Sequence, residues 1–141
     1  MAGRVVSARL QDEALDPSSS LGSVSDPACG GLAMFAGVVR DSDGGRTVIG
    51  LDYEAHPSAA EVLGEVCERA AALPGVVAVS AIHRLGHLEI GELAVVVAVS
   101  SPHRAEAIHA CQWLIDTLKQ EVPIWKRQQY ADGSTDWVGA L

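Results

Sequence analysis

Lysine is nearly missing from this chain. Only Lys119 and Lys126 occur, against eight arginines, and both lie in the short segment TLKQEVPIWKRQ. Cationic residues of both kinds number 10 against 18 acidic ones, for a net charge of −8. Nucleic-acid affinity rests on many Lys and Arg contacts to phosphates, so that balance excludes a polyanion-binding surface. Cysteine is also scarce: Cys29, Cys67 and Cys111 form no CxxC or Cys/His zinc spacing. An odd, unpatterned set predicts reduced thiols in a cytoplasmic protein, with Cys67 and Cys111 as small buried hydrophobes and Cys29 more exposed in a Gly-rich turn. The N-terminal segment MAGRVVSARLQDEALD has no apolar core of the kind a secretion signal needs. The longest apolar run, Leu93 to Val99, is far too short to cross a bilayer. What remains is a chain of 141 residues, 48% hydrophobic, with a mean hydropathy of +0.19. That suffices for one domain over residues 1–141 with a core of its own.

Hydrophobic patterning gives the order of elements. Arg4 to Leu10 alternates as a strand, and Gln11 to Pro27 is a polar loop with one helical turn. Gly31 to Arg40 is an apolar strand, Asp41 to Arg46 a turn supplied with positive φ by Asp-Gly-Gly, and Thr47 to Glu54 the return strand. Pro57 to about Leu73 is helical, with Ala59, Val62, Leu63, Val66, Cys67 and Ala70 on one face. Val76 to His83 and Leu93 to Ser100 are strands around a loop or short hairpin. Ser101-Pro102 starts a second helix, to about Gln120, that buries Ala107, Ile108, Cys111, Leu114, Ile115 and Leu118. Trp125 to Gln129 is extended, and a turn at 131–133 leads to Trp137 and Val138. This mixture predicts an α+β sandwich with a largely antiparallel sheet.

Four cationic clusters sit where elements end. Arg40 closes a strand before the Gly-rich turn. His103-Arg104 stands at a helix N-terminus, where unpaired N–H groups and the helix dipole favour anions. Lys119 lies in the last turn of that helix, and Lys126 follows Pro123-Ile124-Trp125. Each has an ordinary explanation alone, although cations at a helix start oppose the dipole. Together, in a chain so short of positive charge, they predict one small anionic site. Pro123 expels Val122 from helical geometry, so the chain leaves the helix there. In an extended 124–126, Trp125 points away from Ile124 and Lys126, which predicts Trp125 anchored in the core and Lys126 facing a cleft shared with Lys119. Two ammonium groups in proximity lower each other's pKa, and a lysine so tuned serves as general acid/base or nucleophile.

Two other patterns carry no chemistry. His83 and His87 have i, i+4 spacing, but Gly86 breaks the segment and no third zinc ligand is in view. Gly44-Gly45 is a turn, since no GxxxxGK[ST] follows.

The segments Phe35-Ala-Gly-Val-Val-Arg40, Leu51-Asp-Tyr-Glu-Ala55, His83-Arg-Leu-Gly86, Ile90-Gly-Glu92, Val97-Ala-Val-Ser-Ser-Pro-His-Arg104, Ile115-Asp-Thr-Leu-Lys119 and Pro123-Ile-Trp-Lys126 follow one another in order. In that order and spacing they resemble the large, catalytic subunit of molybdopterin synthase, over roughly Asp26 to Val138. The resemblance implies an α/β hammerhead-type fold with an additional antiparallel β subdomain. It implies a sulfurtransferase that builds the molybdopterin dithiolene on cyclic pyranopterin monophosphate. The sulfur donor would be the C-terminal Gly-Gly thiocarboxylate of a small ubiquitin-like subunit, used twice per product. A homodimer with one small subunit at each end, a heterotetramer, is implied, with no metal or prosthetic group. By motif, Lys119 and Lys126 would be catalytic. Arg40, His103 and Arg104 would bind the substrate across the dimer interface, and Phe35 would shape the pocket. The chain departs from the family pattern at His56, where Tyr is common, and at Gln128, where an acidic residue is common. It also ends at Leu141, without the C-terminal extension of some relatives. The competing readings are a non-catalytic anion-binding or partner-docking dimer on the same scaffold, which the intact lysine pair disfavours, and a phosphate-ester hydrolase, for which no metal cluster or activated nucleophile is found.

Overall fold

The computed structural model describes residues 2–138. Its elements are β1 (Arg4–Gln11), α1 (Pro17–Ser23), β2 (Gly31–Val38), β3 (Ser42–Asp43), β4 (Arg46–Ala55), α2 (Ala59–Ala71), β5 (Ala78–Arg84), β6 (Gly86–Glu89), β7 (Leu93–Ser101), α3 (Arg104–Glu121), β8 (Ile124–Tyr130) and β9 (Thr135–Val138). They form two sheets. The first has the order β1-β5-β7-β2; β1 runs parallel to β5 and the other pairs are antiparallel. The second runs β3-β4-β8-β9, with β6 added alongside β4, and is antiparallel throughout. The α+β reading and the additional antiparallel subdomain are both present.

Period-2 alternation assigns the two faces of the first sheet. Val79 and Ala81 of β5 and Val95, Val97 and Val99 of β7 face α2 and α3, where Leu63, Val66, Cys67, Cys111, Leu114 and Leu118 complete the main core. Leu51, Tyr53 and Leu88 of the second sheet join that core, as does Ile124, so the two sheets share one apolar interior. The opposite face is covered near α1, with Val24 packed on Ala78 and Ala98.

Three details differ from the sequence reading. Ile108 is 59% exposed rather than buried, because it lies on the flank of α3 beside β2. Trp125 alternates away from Ile124 and Lys126 as expected, yet the core lies on their side: Ile124, Gln128 and Tyr130 are buried and Trp125 is exposed, edge-on to His56. Residues 84–92 supply β6, a true member of the second sheet. Cys67 and Cys111 are buried and Cys29 is half-buried, all as free thiols. No helix among the described residues is long and apolar enough to cross a membrane.

Candidate functional site

The cleft lies where the first sheet meets the second. The chain leaves α3 at Val122, which has extended geometry (φ −78°, ψ 119°) ahead of Pro123. Lys119 therefore occupies the last turn of α3, and Lys126 follows at once on β8. On the facing strand, Tyr53 of β4 is registered directly against Lys126. The end of β2 contributes Phe35 and Gly37, and Arg40 follows the strand. His83 closes β5, and Ala94 and Val95 open β7. Together they enclose about 370 Å³. Gly37 matters to the shape: a Cβ there would come within 3.0 Å of the Val95 side chain and 3.3 Å of the Phe35 ring.

Three cations, Arg40, Lys119 and Lys126, line this space, and among the described residues no carboxylate does. Among the described residues neither lysine has an ion-pair partner. Lys126 is half-buried, and its pKa is lowered, first by desolvation. Asp43 pulls the value upward, while Lys119 and Arg40 push it further down. The expected lowering is thus present at Lys126. Asp43 is held back by Gln128, whose buried amide donates to its carboxylate at 2.7 Å and to the Tyr130 hydroxyl at 3.0 Å. Gln128 also lines a small space beside Arg40, Tyr53 and Lys126, so this departure from the family pattern adjoins the cleft.

His103 and Arg104 are not in this cleft. His103 is the N-cap of α3, with extended geometry and no side-chain capping bond, and Arg104 is the first helical residue. Most of the length of α3 separates Arg104 from Lys119, about 22 Å at the helical rise. Close packing fixes that end of the helix: a Cβ on Gly31 would stand 2.9 Å from the Arg104 Cα. Of the six expected positions, one chain thus brings together Phe35, Arg40, Lys119 and Lys126 and leaves His103 and Arg104 outside.

Tyr53 and His83 lie in resembling segments, yet they are the polar cleft residues not expected in the site. Strand parity carries the signal, since His83 shares the inward face of Val79 and Ala81. The Tyr53 ring meets the His83 ring edge-on, with centroids 4.8 Å apart. Burial drives the His83 pKa down to about 4, so the ring is neutral. His87, on β6, is exposed and bonded to Asp52 at 3.0 Å, in the other sheet. A second, larger groove of about 510 Å³ runs between β2 and α3, past Leu32, Met34, Phe35, Ile108 and Ile115. Phe35 borders both spaces.

Residues 10–121 match the family described as MoaE protein. The molybdopterin synthase catalytic subunit 1 of Mycobacterium tuberculosis is 42% identical over 136 residues, covering 93% of this chain and 89% of that protein. A crystal structure of molybdopterin synthase from Staphylococcus aureus superposes with a TM-score of 0.85 at 32% identity, over 92% of this chain and 95% of that one. A protein–protein complex of subunits 1 and 2 of molybdopterin-converting factor from Helicobacter pylori contains a chain of the same fold (TM-score 0.71, 23% identity, 94% and 88% covered). The chain belongs to the MoaE family, the catalytic subunits of molybdopterin synthase.

Proposed function

We propose that this chain, acting as one catalytic-subunit domain, moves sulfur from the thiocarboxylate tail of a small ubiquitin-like subunit to cyclic pyranopterin monophosphate. Two deliveries give the dithiolene of molybdopterin. The observation that carries the reading is the pair Lys119 and Lys126 beside Arg40 in one carboxylate-free cleft, with the Lys126 pKa lowered by burial and by its neighbours. Such a cleft attracts two anions, a phosphate and a thiocarboxylate. Sulfur attack on a substrate carbon displaces oxygen, which needs a proton, and water then cleaves the resulting thioester, leaving the sulfur on the substrate and a carboxylate on the tail. An ammonium of lowered pKa gives up a proton more readily than an ordinary lysine, and its amine form can take one back. Lys126 is the proton-transfer residue, and Lys119 grips the tail and assists. Arg40 pairs with the substrate phosphate, and Phe35 walls the pterin. The scheme requires no metal and no prosthetic group.

His103 and Arg104 serve the site from a second copy of the chain. Leu32, Met34, Phe35 and Ile108 are all exposed along the β2–α3 groove, an apolar strip suited to self-association. With one small subunit on each copy the assembly is a heterotetramer, and the H. pylori neighbour is itself described as a complex of two subunits. Three free thiols agree with a cytoplasmic location. The test is reconstitution with a thiocarboxylated partner and cyclic pyranopterin monophosphate. Molybdopterin forms with the wild type and forms at least roughly 10²-fold more slowly with Lys126→Ala.

A further inference from the structure

His83 is a buried polar residue that stands in one of the resembling segments but has no part in the proposed mechanism. It is 1% exposed and lines the same cleft as Lys119 and Lys126. Its Nδ1 lies 2.7 Å from the Arg84 carbonyl oxygen. A carbonyl only accepts, so Nδ1 carries the proton, and in the neutral ring Nε2 is a bare acceptor. That Nε2 is buried and has no partner among the described residues. The ring cannot easily turn away, because the Tyr53 edge packs against it at 4.8 Å and 85°. Buried polar groups are nearly always satisfied, and an apolar side chain of similar size would fill the space without the cost. Lys119, from the last turn of α3, is close enough for its charge to act on His83, and its ammonium has no ion-pair partner among the described residues.

We propose that His83 is a positioning residue for Lys119: the Lys119 ammonium, which shares the cleft but is not bonded to His83 in this structure, donates to the open Nε2 after a change of side-chain rotamer and is thereby aimed into the cleft. Besides the Tyr53 hydroxyl, His83 offers the cleft's only side-chain acceptor among the described residues. The residue type fits the task. A carboxylate there would pair with the ammonium, hold its proton and repel an incoming anion. A neutral imidazole orients the lysine and adds no charge. The inference rests on the reading that Lys119 serves sulfur transfer, but its first test does not.

That test is the long-range ¹H–¹⁵N spectrum of the ¹⁵N-labelled chain, read for wild type and Lys119→Met. The His83 Nε2 resonance is expected to move toward the value of an unbonded acceptor in the variant while Nδ1 stays in place. An unchanged Nε2 overturns the hydrogen bond. The second test compares His83→Leu and His83→Gln in the reconstituted reaction. Leu should lower kcat at least ten-fold, with KM for the pterin within two-fold and no loss of Tm. Gln, which returns an acceptor near the Nε2 position, should recover most of the rate. Full activity of His83→Leu, or equal impairment of both variants, overturns the positioning role. A wild type without turnover overturns the proposed function instead, and the spectrum still decides whether the bond exists.

Discussion

Tyr53 and Lys126 stand directly opposite each other across the antiparallel pair of β4 and β8. The same Tyr53 ring rests edge-on against His83 of the first sheet. One aromatic residue therefore joins the two sheets at the point where the half-buried lysine enters the cleft. The two lysines are held by regular elements, and their spacing is a property of the fold.

Lys126 is the first position to change. Lys126→Ala should lower molybdopterin formation by roughly 10²–10⁴-fold, the range of a lost general acid/base. Lys126→Arg should not restore it, because a guanidinium does not release its proton in this range. The Lys126 pKa is lowered in the folded chain, so the folded state disfavours the charged form relative to the unfolded state. Lys126→Met should then be at least as stable as wild type at neutral pH. The gap should close as pH rises through the lowered value toward the ordinary lysine pKa. Denaturant melts across alkaline pH check both points.

His83 makes a prediction of the same sign at acid pH. Its folded pKa of about 4 lies below the unfolded value of 6.5, so the unfolded chain takes up the proton first as pH falls. Wild type should lose stability between about pH 6.5 and 4, by up to about 3 kcal/mol from this group. His83→Leu should lose correspondingly less over the same interval. Equal acid slopes in urea titrations would show that His83 is protonated inside the fold.

Much of this was legible beforehand. The hydrophobic periods located every long element, and Pro123 marked the end of α3 between the two lysines. The side of β8 that meets the core was not legible. Alternation separates Trp125 from Ile124 and Lys126, but only packing decides which side is inward, and Leu51 and Leu88 place it at Ile124. Ile108 failed for a related reason: helical period sets an apolar arc, and β2 covers only part of it. The position of Arg104 depends on the length of α3, which carries it to the far end from Lys119.

If Arg104 serves a site in the other copy, two defective chains should repair each other. Arg104→Ala and Lys126→Ala should each be inactive alone. An equal mixture, unfolded and refolded together, should regain about a quarter of wild-type activity, since half the dimers are mixed and each has one intact site. No recovery in a sample shown to contain mixed dimers would place Arg104 and Lys126 in separate functions.

Gly31 tests how that far end is held. Gly31→Ala sets a Cβ 2.9 Å from backbone atoms of Arg104. The start of α3 must shift, at a cost of roughly 1–3 kcal/mol. A lower Tm should accompany weaker substrate binding, with the Lys126 environment unchanged. Wild-type stability and binding in this variant would mean the contact relaxes freely.

The most direct measurement is single-turnover reconstitution. The chain is mixed with cyclic pyranopterin monophosphate and a ubiquitin-like partner loaded with a C-terminal thiocarboxylate, and molybdopterin and spent partner are quantified together. Two partner carboxylates should form per molybdopterin with wild type, and both products should form at least roughly 10²-fold more slowly with Lys126→Ala. Wild type that binds both reactants but yields no molybdopterin would contradict the assignment of sulfur transfer to this cleft and leave a binding scaffold.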